Sequence, residues 1–456
     1  MSALMIQGAC SSAGKSLVTT ALARAFARRG IDVCPFKAQN MSNNARVVVG
    51  GEIGVAQYLQ ALAARVEPDV RMNPVLVKPE GDDRSQVVVL GRPDLELSRQ
   101  RWRERRGGLW PVIESALREL LAEHDLVLLE GAGSPAEINL RDTDLANMRS
   151  AKAAGAPVVL VADIDRGGAF AHLYGTWALL PEDERSLVRG FVLNKFRGDA
   201  SLLPPAPQML EELTGVPTLG VLPWLAHGLP DEDGAAPPSR TGNRPRVAIV
   251  RYPTASNLDE FKLLEQAAEI DWVSRPEQLV GARLVVLPGS KHVAADLAWL
   301  RSSGLADAVA ACEAPVLGIC GGLQMLGGRI EDAAGVDGSA YGLGLLPVTT
   351  TFRAEKTTRR TTAVFGGLPE PWSALSGRTI DGYEIRHGDT RPNGDIHVAG
   401  RVCGIAFHGL FEDADAIAAL LGVRPVRDLD DVFDALADAV EEHLDVPRLL
   451  QLAGVA

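Results

Sequence analysis

A chain of 456 residues exceeds the roughly 250 to 300 residues at which a single hydrophobic core stops growing, so at least two domains are expected. A hydrophobic content of 46%, a charged content of 23% and a mean hydropathy near zero exclude disordered and fibrous classes. The formal net charge of −12 argues against a nucleic-acid partner, because phosphate backbones bind concentrated positive surface.

The start, MSALMIQGAC, has no basic segment leading into a long apolar run, and no window reaches the apolar length of a membrane helix. A cytoplasmic chain without a membrane partner is expected. Cys10, Cys34, Cys312, Cys320 and Cys403 show no C-x-x-C spacing, which argues against a disulfide framework and a structural zinc.

Residues 1–230 alternate short β-branched runs with amphipathic stretches of crossover-helix length. Strands are expected at 3–8, 31–37, 125–131, 156–165 and 188–196, which predicts a doubly wound parallel sheet with ligands at the carboxyl ends of its strands. The arginine-rich run SRQRWRERRGG at 98–108 reads as a solvated helix face.

The first expected strand enters IQGACSSAGKSL, in which five residues separate Gly8 from Gly14, one more than in the usual G-x-x-x-x-G-K-[ST]. A helical pattern then runs from Lys15 to a C-capping Gly30. In this strand, loop and helix, backbone N–H groups face the phosphates of ATP, Lys15 reaches the terminal phosphates and Ser16 ligates Mg²⁺. Glu130, ending the apolar run LVLLEG, is the expected second Mg²⁺ ligand, and Glu52 in GGEIGVAQ is a further candidate. Asn194 in VLNKF ends a strand where a side-chain amide reads a nucleotide base.

Residues 231–245, rich in Pro, Gly and charge, read as a linker. A second α/β series fills 246–456, with strands expected at 246–253, 282–290, 314–322, 341–352 and 400–409 and helices at 414–421 and 430–443. Within it, Gly318-Ile319-Cys320-Gly321-Gly322 is the cysteine form of a nucleophile elbow, whose small neighbours permit the turn. His408 in CGIAFHGLF is the expected base, with His387 in GYEIRHG as the alternative. The N–H groups of Gly289 and Gly321 are the expected oxyanion donors.

The six-residue spacing from Gly8 to Gly14 resembles that of the dethiobiotin synthetases, which use ATP on carboxyl or carbamate substrates. The related septum-placement ATPases carry an extra lysine where this loop has Ala9, Cys10, Ser11 and Ser12. The C-terminal half resembles the class I glutamine amidotransferases, which implies a flavodoxin-like α/β fold. The two halves together resemble the cobyric acid synthase family through PFKAQNMSNN, GGEIGVAQ, MNPVLVKP, INLRDTDLANM, VADIDRGGAFA, NKFRGD, PTASNLDEF, PGSKH, GICGGLQML and FHGLF. That resemblance implies a glutamine-hydrolysing ligase of cobalamin biosynthesis with a corrinoid acceptor, cobyrinic acid a,c-diamide, amidated at its b, d, e and g carboxylates.

Such a ligase needs an activated acid, because oxide is a poor leaving group and an acyl phosphate a good one. Lys37 in PFKAQN is expected to neutralise phosphate or carboxylate charge, and Asp142 and Asp144 in NLRDTDLANM to orient ammonia or the acceptor. Two departures stand out. Leu410 occupies the place of the acid that usually follows the base, so something outside that register orients His408, and Arg386 stands where many family members have histidine, which leaves the role of His387 open. The alternatives are a cobyrinic acid a,c-diamide synthase, against which KAQNMSNN speaks, and a regulatory P-loop ATPase with a non-catalytic glutaminase-like domain. A homo-oligomer stays open.

Overall fold

Strands buried on both faces organise each half of the chain, whose computed structural model describes residues 2–80, 85–230 and 244–455. In the first half six parallel strands lie in the order Thr218–Pro223, Val188–Phe196, Val158–Asp163, Ser2–Gly8, Leu126–Glu130, Val33–Phe36. Alternation along Ser2–Gly8 sends Ala3 and Met5 into one core and Leu4 and Ile6 into another. An apolar run without polar breaks is what a strand covered on both faces requires, and each large side chain so buried contributes roughly 1.5 to 3 kcal/mol. The helix Lys15–Arg28 ends as expected: Gly30 takes φ 81°, and the N–H groups of Gly30 and Ile31 donate to Ala27 and Phe26 carbonyls.

The arginine-rich run straddles the helices Leu95–Arg99 and Trp102–Glu123. Arg101 is exposed as expected, but Arg105 is buried and donates to Ser85 Oγ (2.7 Å) and to the carbonyls of Ser98 and Gln100 (both 3.0 Å). A guanidinium with each of its nitrogens hydrogen-bonded can be buried where a bare charge cannot.

In the second half the order is Glu269–Val273, Arg246–Val250, Leu284–Leu287, Val316–Ile319, Val402–Ile405, Ile396–Ala399, parallel except for the last pair. Numbered along the chain, the five parallel strands run 2-1-3-4-5, the flavodoxin-like order. The strand expected at 341–352 is corrected: only Ala340–Tyr341 and the residues from Thr349 onward are extended, and they belong to a separate four-stranded sheet. Between them Leu343 and Gly344 donate instead to Met325 and Gly327 carbonyls, satisfying the end of the elbow helix.

Sequence patterning missed the long antiparallel hairpin of Thr349–Val364 and Thr379–Arg391. Its first strand, TTTFRAEKTTRRTTAV, lacks apolar alternation because part of it faces the other domain through charge: Lys356 pairs with Glu52 and Arg360 with Glu67, both at 2.6 Å. The expected helices at 414–421 and 430–443 are present as Ala414–Leu421 and Leu429–His443. The latter and Val446–Ala453, however, leave the second sheet and complete the first domain. Val432, Phe433, Leu436 and Leu449 join Leu22 and Phe26 in one core, and fully buried Arg24 pairs with Asp430 and Asp434 and lies over Phe433 at 5.4 Å. A second domain running unbroken over 246–456 is therefore corrected, and residues 231–243 of the expected linker lie outside the described residues. Among the described residues no helix is long and apolar enough to cross a membrane.

Candidate active site

Both sets of candidate residues gather at the carboxyl ends of the parallel strands. At the first sheet, Gly8 ends its strand and the loop turns into its helix at Gly14, with φ 96°. A Cβ there would lie 2.0 Å from Asn194 Nδ2, so only glycine fits. The Asn194 amide donates to the Ala13 carbonyl (2.9 Å) and its oxygen accepts from the Lys195 N–H (2.9 Å), so the strand-end asparagine braces the loop.

Glu130, 1% exposed, is the centre of this cluster. Its Oε1 accepts from Ser16 Oγ and from Lys37 Nζ, each at 2.9 Å, and its Oε2 accepts from Gln60, which sequence reasoning missed. Lys15 Nζ donates to the Gly133 carbonyl at 3.0 Å, in the turn after Glu130. One hydroxyl beside one carboxylate suits Mg²⁺, which binds through few protein oxygens and keeps waters and substrate phosphates. No group of three or more His, Cys, Asp or Glu side chains with ligating geometry occurs among the described residues.

The candidate Glu52 does not join this group, a correction to its expected metal role. It is fully buried, and its two oxygens are taken by Lys78 and by Lys356 of the opposite domain, each at 2.6 Å. Burial opposes its charge, yet the two ammonium groups hold its carboxyl well below the usual range. Asp144 closes the turn that leads into the next helix, accepting from the N–H groups of Ala146 (2.9 Å) and Asn147 (3.0 Å) just before it, and desolvation raises its pKa. Asp142 is exposed on the same loop.

At the second sheet Cys320 stands between Val316–Ile319 and the helix Gly321–Leu326 with φ 52° and ψ −106°, a conformation costly for a residue with a side chain. Its N–H donates to the Ile405 carbonyl (2.8 Å). A Cβ on Gly322 would come within 2.0 Å of the Leu287 carbonyl, so the elbow packs on the neighbouring strand only as glycine. Cys320 is buried, and its thiol donates weakly to the Ile385 carbonyl (3.7 Å).

His408 is 1% exposed, and its Nδ1 lies 2.8 Å from Glu260 Oε1. The other oxygen of Glu260 accepts from the Gly409 N–H (3.1 Å). The remaining ring nitrogen is left for Cys320, with which the imidazole shares a hydrogen bond. Burial opposes charge on the ring, but Glu260 and Cys320 outweigh it and raise the His408 pKa to about 10. Leu410 is fully buried in the core, and Glu260, reached from another part of the chain, does the work of the absent acid. Gly289 adjoins the histidine, since a Cβ on it would lie 2.8 Å from His408 Cε1, and Gly321 adjoins Ser290 N at the same 2.8 Å. The two expected oxyanion donors thus flank the cysteine–histidine pair.

His387 is not brought to this pair through its ring, whose Nδ1 lies 3.2 Å from the Arg353 carbonyl. Burial, followed by the charge of Lys356, lowers its pKa to about 4, which keeps it neutral. Arg386 is spent on Glu384 at 2.7 Å.

Residues 4–228 match the CobQ/CobB/MinD/ParA nucleotide binding domain, and residues 246–418 match the CobB/CobQ-like glutamine amidotransferase domain. Curated relatives are similar along their whole length. The chain is 54% identical to the cobyric acid synthase of a Polaromonas species over 98% of itself and 97% of that protein. It is 56% identical to that of Paracidovorax citrulli and 54% identical to that of Variovorax paradoxus, over 97% of each chain in both cases. With both domains matched in order and identity sustained from end to end, the chain belongs to the cobyric acid synthase family.

Proposed function

We propose that the chain is an ATP- and glutamine-dependent ligase that amidates the b, d, e and g carboxylates of adenosylcobyrinic acid a,c-diamide, giving adenosylcobyric acid. The substrate assignment rests on the relatives' names and the reaction type on the site. The observation that carries the chemistry is the pairing, in one chain, of Cys320 with a histidine held by Glu260 at 2.8 Å.

Cys320 attacks the side-chain amide carbon of glutamine, and the N–H groups of Gly289 and Gly321 receive the oxyanion. His408 delivers a proton to the departing nitrogen, which leaves as ammonia, and a thioester remains. His408 then takes a proton from water, whose attack releases glutamate and restores the thiol. In the other domain Lys15 and the loop N–H groups hold the phosphates of ATP, Lys37 offsets negative charge beside Glu130, and exposed Asp142 orients the acceptor. Mg²⁺ held by Ser16 and Glu130 would draw charge from the phosphate oxygens. Transfer of the γ-phosphoryl group to the acceptor carboxylate makes an acyl phosphate, which ammonia attacks with loss of phosphate.

Mass spectrometry of cobyrinic acid a,c-diamide incubated with enzyme, ATP, Mg²⁺ and glutamine tests this reading. Four successive acid-to-amide changes are expected, each accompanied by one glutamate. Conversion of cobyrinic acid to its diamide, with the diamide itself left untouched, would overturn the substrate assignment.

A further inference from the structure

Arg46 lies on the strand Ala45–Val48 of the nucleotide-binding half and is 5% exposed. Its guanidinium crosses the domain boundary to pair with Asp259 and Glu412. Asp259 immediately precedes Glu260, the carboxylate on His408. The same guanidinium lies 4.9 Å from the centroid of the Tyr383 ring, and that ring is stacked on the His408 imidazole at 5.3 Å. Of the two supports of the histidine, Tyr383 therefore lies against Arg46 and Glu260 directly follows its ion-pair partner.

Three further bonds tie the same segments. Asn257 donates from its amide to the Ala45 carbonyl (2.9 Å) and to Tyr383 Oη (3.1 Å), and the Leu258 N–H donates to Asn44 Oδ1 (3.1 Å). Asn257 has φ 56°, a left-handed conformation that asparagine tolerates better than most residues other than glycine and that its amide bonds then fix. Here the fixing bonds to residues 257–260 come in part from the other domain.

Arg46 is also joined to the phosphate cluster. The helix Val55–Ala64, which follows its hairpin, carries Tyr58, 5.8 Å beneath the guanidinium, and Gln60, which donates to Glu130. The charged and titratable groups around the histidine are Glu260, Cys320 and Tyr383, with Asp259, Arg46, Glu412 and Tyr252 behind them.

We propose that Arg46 is a positioning residue for glutamine hydrolysis, supplied by the nucleotide-binding half, which sets Tyr383 and residues 257–260 and through them the His408 imidazole. Ammonia is then made at full rate only when the two halves are docked around Arg46. The inference rests on Cys320 and His408 being nucleophile and base.

The test uses full-length Arg46→Met, Arg46→Lys and Cys320→Ser, assayed for amidation of cobyrinic acid a,c-diamide with glutamine and with ammonium chloride. In Arg46→Met the ratio of glutamine-dependent to ammonium-dependent rate should fall about tenfold or more, and the pH profile of kcat/KM for glutamine should shift, with partial recovery in Arg46→Lys. A wild-type ratio and profile in Arg46→Met would overturn the proposal. If Arg46→Met does not fold, Arg46→Lys and Asn257→Ala decide by the same ratio. Glutamine use surviving in Cys320→Ser would sink the nucleophile assignment, and this proposal with it.

Discussion

Glu260 holds Nδ1 of His408 at 2.8 Å across 148 residues of sequence, and its second oxygen accepts the N–H of the next residue, Gly409. The carboxylate thus fixes both the ring and the backbone that carries it. This two-point grip leaves the imidazole one free nitrogen, and that nitrogen meets Cys320.

Glu260→Gln should therefore change the pH response as well as the rate. His408 is raised from 6.5 to about 10, so the limb of kcat/KM set by its deprotonation lies near pH 10 and should move towards neutrality in the variant. The accompanying rate loss is expected to be roughly 10²-fold or more. A folded pKa above the ordinary value also means a stability contribution fully present below pH 6.5 and lost as pH rises towards 10. Thermal midpoints of wild type and variant should converge over that window.

Cys320→Ser should abolish amidation with glutamine and retain it with ammonium salts, whereas Lys15→Ala should abolish both. Parallel assays with the two nitrogen sources check this. Normal glutamine use by the cysteine variant would show that another group is the nucleophile.

Glu52 and Glu130 should separate cleanly. Glu130→Gln removes the carboxylate beside Ser16 and should lose amidation with either nitrogen source. Glu52→Gln leaves Lys78 and Lys356 buried without their counter-charge, and should destabilise the fold by about 3 to 5 kcal/mol. Denaturation curves and Mg²⁺ titrations of the ammonium-dependent rate distinguish the two, since an unaltered Mg²⁺ requirement is expected in Glu52→Gln.

Phe433→Ala should loosen the nucleotide-binding domain, although the residue follows the second sheet in sequence. A fully packed phenylalanine truncated to alanine costs about 3 to 5 kcal/mol. Hydrogen exchange should show the loss in the helix Lys15–Arg28, which packs on the helix carrying Phe433. Loss confined to residues of the second sheet would contradict this packing.

Much of this was legible because it is local. The phosphate loop and the cysteine elbow are strand, turn and helix written in consecutive residues, and glycines at fixed offsets mark both. Ser16 and Glu130 were legible as strand-end and helix-start chemistry. Glu260 was not, because it sits in a one-turn helix, Leu258–Phe261, without an apolar strand to announce it; the only signal was an acid pair in PTASNLDEF. Glu52 was misread for the converse reason: a carboxylate near a strand end looks like a ligand until the lysine that neutralises it, 304 residues away, is in place. The return of Leu429–His443 to the first domain left its apolar periodicity in the sequence but no indication of which sheet that face would meet.

That return has a consequence during synthesis. The apolar face of Lys15–Arg28 leaves the ribosome some four hundred residues before the segment that covers it. Until residues 429–453 emerge, the nucleotide-binding half must wait with Phe26 and Arg24 lacking their final layer, while the glutaminase sheet can already assemble. The nucleotide-binding half is thus finished after the half that follows it, and a chain released before residue 429 would carry a glutaminase sheet beside an incomplete nucleotide-binding domain.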